Sequence, residues 1–194
     1  MRKRRSVVGH LLLATVVCAC LCGCLPSGGP TEVERRMFSV KLQPTDFSLG
    51  WKQRNYQVGD IEGAVAARTW AFASGAGASS VSPGAAHEII VYPGADIAAD
   101  AYPDMIAKWF PTPTWVSPDQ LHYQSTVADQ FRFACIPATI NGIPTSSCRA
   151  VGQYGSLVSV FVTNVFEDRW FTWEDMEHIL QVIDERMAAD MQQH

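Results

Sequence analysis

The sequence predicts an α+β fold, a two-layer domain in which helices pack on one face of a mainly antiparallel sheet. Two observations support this class. Segments of strand-like composition occur in two groups, before and after a helical segment at residues 96–110. The chain then ends in a segment whose apolar residues recur at steps of three and four, which is typical of a helix that covers a sheet.

The composition fits one ordinary domain with an unusual amino terminus. The chain has 194 residues, of which 47% are hydrophobic and 18% charged, and this excludes a disordered or collagen-like polymer. The first 23 residues hold four basic side chains (Arg2, Lys3, Arg4 and Arg5) and no acid. The remaining 171 residues carry 11 basic and 19 acidic side chains, a formal charge of −8. An acidic body gives no reason to expect a nucleic-acid partner.

The amino terminus shows the features of an export signal in their usual order. A basic segment precedes an apolar stretch of 13 residues, which as a helix spans about 20 Å, less than the hydrocarbon core of a bilayer. The residues Leu21-Cys22-Gly23-Cys24 resemble the lipobox of bacterial lipoprotein precursors. The resemblance implies a diacylglyceryl thioether on Cys24 and cleavage before it. It divides the chain into a signal peptide at 1–23, a lipidated Cys with a flexible tether at 24–31, and one extracytoplasmic domain at 32–194.

Three alternatives for this segment stay open. The Arg4-Arg5 pair resembles that of a twin-arginine signal. Residues 17–20 resemble a second, weaker lipobox, and its use would move the cleavage site by four residues. An ordinary signal peptide cut near Gly23 would leave no lipid. If Cys24 is lipidated, residues 25–31 are a Pro- and Gly-rich tether with a reach of about 15 Å. We therefore expect a protein that is lipid-anchored on the extracytoplasmic side of a bacterial cell membrane, close to its surface.

The cysteine count predicts one disulfide. Three of the six cysteines would leave with the signal peptide, and Cys24 would carry the lipid. In an exported protein the two that remain, Cys135 and Cys148, most simply pair with each other. A redox-active pair or a metal site is less favoured, because 12 residues separate the two thiols and no histidine is placed nearby in the sequence.

In the first part of the domain, turn-forming residues divide the sequence into short predicted helices and strands. A short helix at 32–40 leads into a loop that delivers Trp51 to the core, and a later helix carries Pro103. The segment 74–86 is small and polar, so we expect a mobile surface loop there. In order, the elements are a helix at 32–40, strands at 51–58, 64–73 and 87–92, a helix at 96–110, and a Pro-rich connection at 112–125.

The carboxy-terminal third predicts a specific strand register. Strands at 129–135, 148–154 and 157–165 are expected, with a two-residue turn at Gly155-Ser156 joining the last two. The turn places Ala150 opposite Phe161, and a disulfide places Phe133 opposite Ala150. These two independent assumptions place the same residues on one face of the sheet. On that face, large aromatic side chains lie opposite small residues of the neighbouring strand. The other face is mixed, as expected for a sheet with one solvated side.

The final helix is expected at 173–187. Thr172 is its N-cap and Asp175 stands at the capping-box position. Its apolar stripe should cover the aromatic sheet face. Just before it, a polar-aromatic cluster is best explained as a capped helix start with core tryptophans; it comprises Glu167, Asp168, Arg169, Trp170 and Trp173.

The order of elements over residues 37–187 resembles that of the extracytoplasmic sensor domains of some bacterial Ser/Thr kinases and of PsbP-like domains. The shared features are a Gly-Trp loop at Gly50-Trp51, the strand-helix order, a disulfide-bridged hairpin and a closing amphipathic helix. The resemblance implies a binding module and assigns no ligand residues.

Few residues of the sequence indicate a catalytic, metal-binding or cofactor-binding role. The histidines of the body are spread widely, and the sequence has no metal, nucleotide or nucleophile motif, so we expect no cofactor, no metal and no catalytic residue. The expected function is a noncatalytic ligand-binding or protein-interaction domain. The register places Arg132 and Arg149 side by side on the mixed face, where they could receive an anionic ligand or an acidic envelope partner.

Two other functions remain as alternatives. One is an envelope hydrolase in which His87 or His122 works with a carboxylate in a cleft beneath the 74–86 loop. The other is a structural accessory subunit of an envelope complex, which would show a large exposed apolar patch.

Overall fold

The computed structural model describes residues 29–48, 50–75 and 83–193. Within this part of the chain, three α-helices and six strands are formed, with a 3-10 turn at Pro44–Asp46: α1 (Glu32–Val40), β1 (Trp51–Gly59), β2 (Ala66–Ser74), β3 (Gly84–Val91), α2 (Ala95–Trp109), β4 (Gln130–Ile140), β5 (Ile143–Tyr154), β6 (Leu157–Val165) and α3 (Trp173–Met191). The strands make one sheet in the order β1-β2-β3-β6-β5-β4, and every neighbouring pair is antiparallel. The predicted α+β class with an antiparallel sheet is confirmed.

The predicted register of the last three strands is also confirmed. Cys135 lies opposite Cys148, Phe133 opposite Ala150, and Ala150 opposite Phe161. Large side chains face small ones as expected. A Cβ at Gly152, for example, would lie 2.6 Å from the ring of Tyr154, so only glycine leaves room for that ring.

The helices do not all lie on one face of the sheet, as the two-layer prediction required. The aromatic face packs against α1 and α3, in a core that includes Trp70, Phe161 and Leu180. Alternate strand residues such as Val151 and Val160 belong to a second core, which α2 covers through Tyr102 and other side chains. Strand residues point alternately to the two faces, and the valines on the mixed face therefore needed a cover of their own. The sheet is thus enclosed between two helical layers.

Element boundaries follow the prediction closely, with two corrections. The strands β4 and β5 continue past the disulfide to a two-residue turn at Asn141 and Gly142, which both have positive φ. The expected 74–86 loop is shorter than predicted, because β2 includes Ser74 and β3 begins at Gly84. Its central residues, 76–82, lie outside the described residues.

The start of α3 has the predicted capping box. The Thr172 side chain accepts a hydrogen bond from the Asp175 backbone N–H, and the Asp175 carboxylate accepts one from the Thr172 N–H at 2.8 Å. The backbone N–H groups of Thr172 and Asp175, which have no partner within the helix, are satisfied in this way.

Two ion pairs tie α1 and the segment after it to α3. Arg36 reaches Asp190 at 2.8 Å and also donates to the Ser156 hydroxyl. Arg186 donates to the Lys41 carbonyl and pairs with Asp46 at 2.7 Å. These contacts link the beginning of the domain to its last helix.

The lipobox and Cys24 lie outside the described residues, as do the signal peptide and the first part of the tether. Within the described part of the chain, no helix is long and apolar enough to cross a membrane.

Candidate functional site

Two adjoining clefts lie beside the hairpin of β4 and β5, and the larger one is at the edge of the sheet formed by β4. The larger has a volume of about 250 Å³ and the smaller about 90 Å³, and both are lined by Gln120 and Ser146. The larger is also lined by Val116, Ser117, Pro118, Asp119, Cys135, Ile136 and Pro137. The smaller is also lined by Pro144, Thr145, Val165, Glu167 and Trp173. We refer to them together as the hairpin-base clefts.

The larger cleft exists because the connection after α2 forms a backbone bridge to β4 at one residue, Cys135. Val116 and Cys135 exchange two backbone hydrogen bonds, at 2.8 and 3.2 Å. Trp115 and Leu121 are buried on either side and fix both ends of the segment between them. The chain at 117–120 therefore stands away from the strand edge and leaves the space that forms the larger cleft.

One of the two disulfide-bonded cysteines, Cys135, lines the larger cleft. Cys135 and Cys148 are bonded, with a Cα–Cα distance of 4.1 Å, and both are buried. Because the bridge joins the two strands directly opposite each other, it fixes the strand edge against which a ligand would lie.

The lining of the hairpin-base clefts combines hydroxyl, amide and carboxylate groups with apolar surface. Asp119 and Glu167 are exposed acids, and Trp173 contributes a half-buried ring to the smaller cleft. The residues described as lining the two clefts include no lysine, arginine or histidine. Such a lining offers hydrogen-bond acceptors and an aromatic surface to a neutral or cationic ligand and would repel an anion.

The structure places Arg132 and Arg149 at diagonal positions of β4 and β5, and an aromatic ring lies against each half-buried guanidinium. The Arg132 guanidinium lies 4.4 Å from the ring centre of Phe110. Arg149 lies 4.1 Å from the ring centre of Trp115 and donates to the Trp109 carbonyl at the end of α2. The prediction of an open, solvated face for an anion does not fit this packing. The sequence could not show that the chain after α2 lays its aromatic residues over both guanidinium groups.

Arg149 contributes to the attachment of α2. Its donation to a carbonyl in the last turn places a positive charge where the helix macrodipole favours one. Burial lowers the pKa of Arg149 from its usual value, and its buried Nε has no hydrogen-bond partner in the described part of the chain. These features indicate a packing role for this side chain.

His87 lies within hydrogen-bonding reach of a serine but cannot activate it. The His87 Nδ1 accepts from the Leu42 backbone N–H at 3.1 Å, so the ring proton is on Nε2, which lies 2.9 Å from the Ser159 Oγ. A general base must present a free lone pair to the hydroxyl, and here that nitrogen carries the proton. Both side chains are shielded from solvent, at 0% and 3% exposure. This pair does not support a hydrolase.

The charge state of His87 agrees with this geometry. Burial, followed by the positive charges of Arg186 and Lys41, lowers its pKa to about 3. The imidazole is therefore neutral under ordinary conditions. His122, the other histidine considered for a hydrolase, is exposed on the connection before β4.

A buried carboxylate on α3 was not predicted from the sequence. Asp184 accepts hydrogen bonds from the hydroxyls of Tyr123 at 2.7 Å, Ser125 at 2.9 Å and Tyr154 at 2.7 Å. Burial is the first cause that raises the pKa of both tyrosines well above the usual value, and the hydrogen bonds to Asp184 add to it. The network joins α3, β5 and the connection before β4, and we interpret it as structural.

Comparison with solved structures places this arrangement in a known fold. The chain is similar to the extracellular domain of PknH from Mycobacterium tuberculosis, with a TM-score of 0.50 and 9% sequence identity. The similarity covers 86% of this chain and 99% of that domain. At this identity the likeness concerns the fold alone, and to that extent the expected similarity to a kinase sensor domain is confirmed. No protein-family model matches the sequence, and no curated protein matches it either.

Proposed function

We propose that this chain is a lipid-anchored, extracytoplasmic domain of a bacterial membrane that binds a ligand in the hairpin-base clefts and catalyses no reaction. The observation that carries the binding role is the pair of clefts beside the disulfide, the larger of which is held open by the backbone bridge between Val116 and Cys135. The likeness to an extracellular domain supports the location. The lipobox resemblance at Cys24 supports the anchor.

The proposed ligand is neutral or cationic and carries hydrogen-bond donors, as a saccharide or an amine-bearing peptide does. Asp119, Glu167, Gln120 and the serine hydroxyls would accept those hydrogen bonds, and Trp173 offers an aromatic surface. An anionic ligand on Arg132 and Arg149 is the weaker proposal, since the rings of Phe110 and Trp115 would have to move away first.

The test uses a blocking substitution with a matched control. Gln120→Trp places a bulky side chain where the two clefts meet, and Gln120 is exposed, so the fold should tolerate it. Gln181→Trp makes the same change at an exposed position on α3. The wild type and both variants are purified from their own membranes under mild conditions, and bound molecules are identified by mass spectrometry.

A bound saccharide or peptide that is retained by the wild type and by Gln181→Trp, and lost from Gln120→Trp, supports the binding role. Retention by all three proteins, or the absence of any bound molecule, contradicts the proposed site. Intact mass separately tests the anchor: a mature chain that begins at Cys24 and carries acyl chains supports lipidation, and a chain that begins elsewhere without lipid contradicts it.

A further inference from the structure

Three of the exposed large hydrophobic side chains gather around one arginine. Phe38 on α1 and Tyr56 and Val58 on β1 are 41%, 56% and 71% exposed. The Arg68 guanidinium lies 5.4 Å from the ring centre of Phe38 and 5.7 Å from that of Tyr56, and Val58 is the cross-strand partner of Arg68. We call Phe38, Tyr56, Val58 and Arg68 the α1–β1 patch.

The patch packs on the buried side chain of Trp70. Phe38 packs edge-on against Trp70, which is 1% exposed, and Tyr56 lies opposite Trp70 in the sheet. The charge of Arg68 is balanced by Glu34 on α1. The patch therefore presents aromatic and aliphatic surface over a neutralised ion pair, an arrangement suited to the boundary between water and lipid, where amphipathic rings accumulate.

The edge of β1 itself is poorly suited to pairing with another strand. Its register is interrupted by a bulge between Gln53 and Asn55, and the exposed side chains of Lys52 and Arg54 lie along it. Bulges and basic side chains on an edge strand hinder edge-to-edge pairing. A second copy of the chain that paired with β1 strand to strand would therefore fit this edge poorly. A lipid surface needs no strand register and fits it better.

Charge is distributed unevenly between this end of the domain and the rest. Residues 32–68, which form α1, β1 and the start of β2, carry six basic and five acidic side chains. Residues 69–194 carry five basic and 14 acidic side chains. The segment that carries the patch therefore has a formal charge of +1 and residues 69–194 one of −9, so an anionic bilayer repels the second segment but not the first.

The tether also favours this end. Only residues 25–31 separate Cys24 from α1, and their reach is about 15 Å. Phe38 is the seventh residue of α1, about 9 Å along the helix from its first residue. An anchor at Cys24 would hold the patch within reach of the lipid surface.

We propose that the α1–β1 patch rests against the anionic bilayer that carries the lipid anchor, which would leave the hairpin-base clefts at the opposite edge of the sheet directed away from that surface. This inference rests on the proposed lipid anchor. It adds an orientation, which the anchor alone does not impose because a Gly-rich tether permits rotation.

The test measures the depth of two matched labels on the lipidated protein. Ser39→Cys places a thiol beside the patch and leaves its four residues intact, and Ser117→Cys places one at the β4 edge; both serines are exposed. Each variant is labelled with a fluorophore and reconstituted into vesicles of phosphatidylcholine and phosphatidylglycerol that contain a doxyl-labelled quencher lipid. Flotation of the vesicles shows whether the protein is anchored.

Docking predicts stronger quenching at Ser39→Cys than at Ser117→Cys. Tyr56→Ser should reduce the quenching at Ser39→Cys, whereas Ile97→Ser, a change at a hydrophobic residue of α2 that is 40% exposed, should not. Lys52→Ala and Arg54→Ala should each lower the ratio of docked to undocked protein about fivefold, and high salt should do the same.

Equal quenching at the two labels on protein that floats with the vesicles overturns the docking and leaves the anchor standing. Protein that does not float overturns the anchor and the docking together. Shielding of the Ser39→Cys label in native membranes, without quenching in pure lipid vesicles, also overturns the proposal and indicates a protein as the occupant of the patch.

Discussion

A single buried histidine makes the stability of this domain depend on pH. His87 is fully buried, and its pKa is about 3 in the folded protein, against about 6.5 in an unfolded chain. Between these two values the unfolded chain binds a proton that the folded protein excludes. The contribution of the neutral His87 to stability is therefore fully present above pH 6.5. It is lost as the pH falls from 6.5 towards 3, by about 1.4 kcal/mol per pH unit.

His87→Gln, which cannot be protonated, should remove this contribution. We expect the free energy of unfolding of the variant to be lower at neutral pH, since the packing around Leu42 and Ser159 is disturbed, but to vary less between pH 6 and pH 4. Urea denaturation at several pH values measures it. His122→Gln is the control, because that side chain is exposed. An equal pH slope in wild type and His87→Gln would show that the buried imidazole is not the group responsible.

At the scale of the element, α3 is held by polar as well as apolar contacts. Asp184 is 6% exposed and receives three hydroxyl hydrogen bonds from β5 and from the connection before β4. Removing the carboxylate would leave buried hydroxyls without an acceptor, a cost greater than that of the hydrogen bonds themselves.

Asp184→Ala should therefore lower the free energy of unfolding by about 3 kcal/mol. Asp184→Asn should lower it by less, because its amide oxygen can still accept from Ser125 and Tyr154. Glu177→Ala, at an exposed position on the same helix, should change stability by less than about 0.5 kcal/mol. Chemical denaturation of the three variants checks the ranking, and a loss in Asp184→Ala no larger than in Glu177→Ala would contradict the structural role.

The elements also show what can be predicted from the sequence. The register of β4, β5 and β6 follows from a two-residue turn and a disulfide, which are local signals, and both are present in the structure. The cover over Arg149 depends on Trp109 and Trp115, which are 40 and 34 positions away in the chain. The larger cleft likewise depends on the long-range contact of Val116 with Cys135. Periodicity reports which face of an element is apolar but not which distant segment covers it.

At the scale of the whole molecule, the disulfide stabilises the entire sheet. Cys135 and Cys148 are 13 positions apart, and their bond joins β4 to β5. Since β5 also pairs with β6, and β6 with β3, a loss of order in β5 would spread to both cores. Closing a loop of this length stabilises a domain by about 3 kcal/mol, chiefly by restricting the unfolded chain.

Replacing both cysteines by alanine should accordingly lower the melting temperature by about 6–12 °C, since each kcal/mol corresponds to about 2–4 °C in a domain of this size. The double variant is preferable to chemical reduction, because both sulfurs are buried and a reductant reaches them only after the fold opens. Cooperative unfolding predicts coincident transitions by tryptophan fluorescence and far-UV circular dichroism. If the disulfide supported only the hairpin at its own end, α3 would melt at the wild-type temperature, and the two probes would separate.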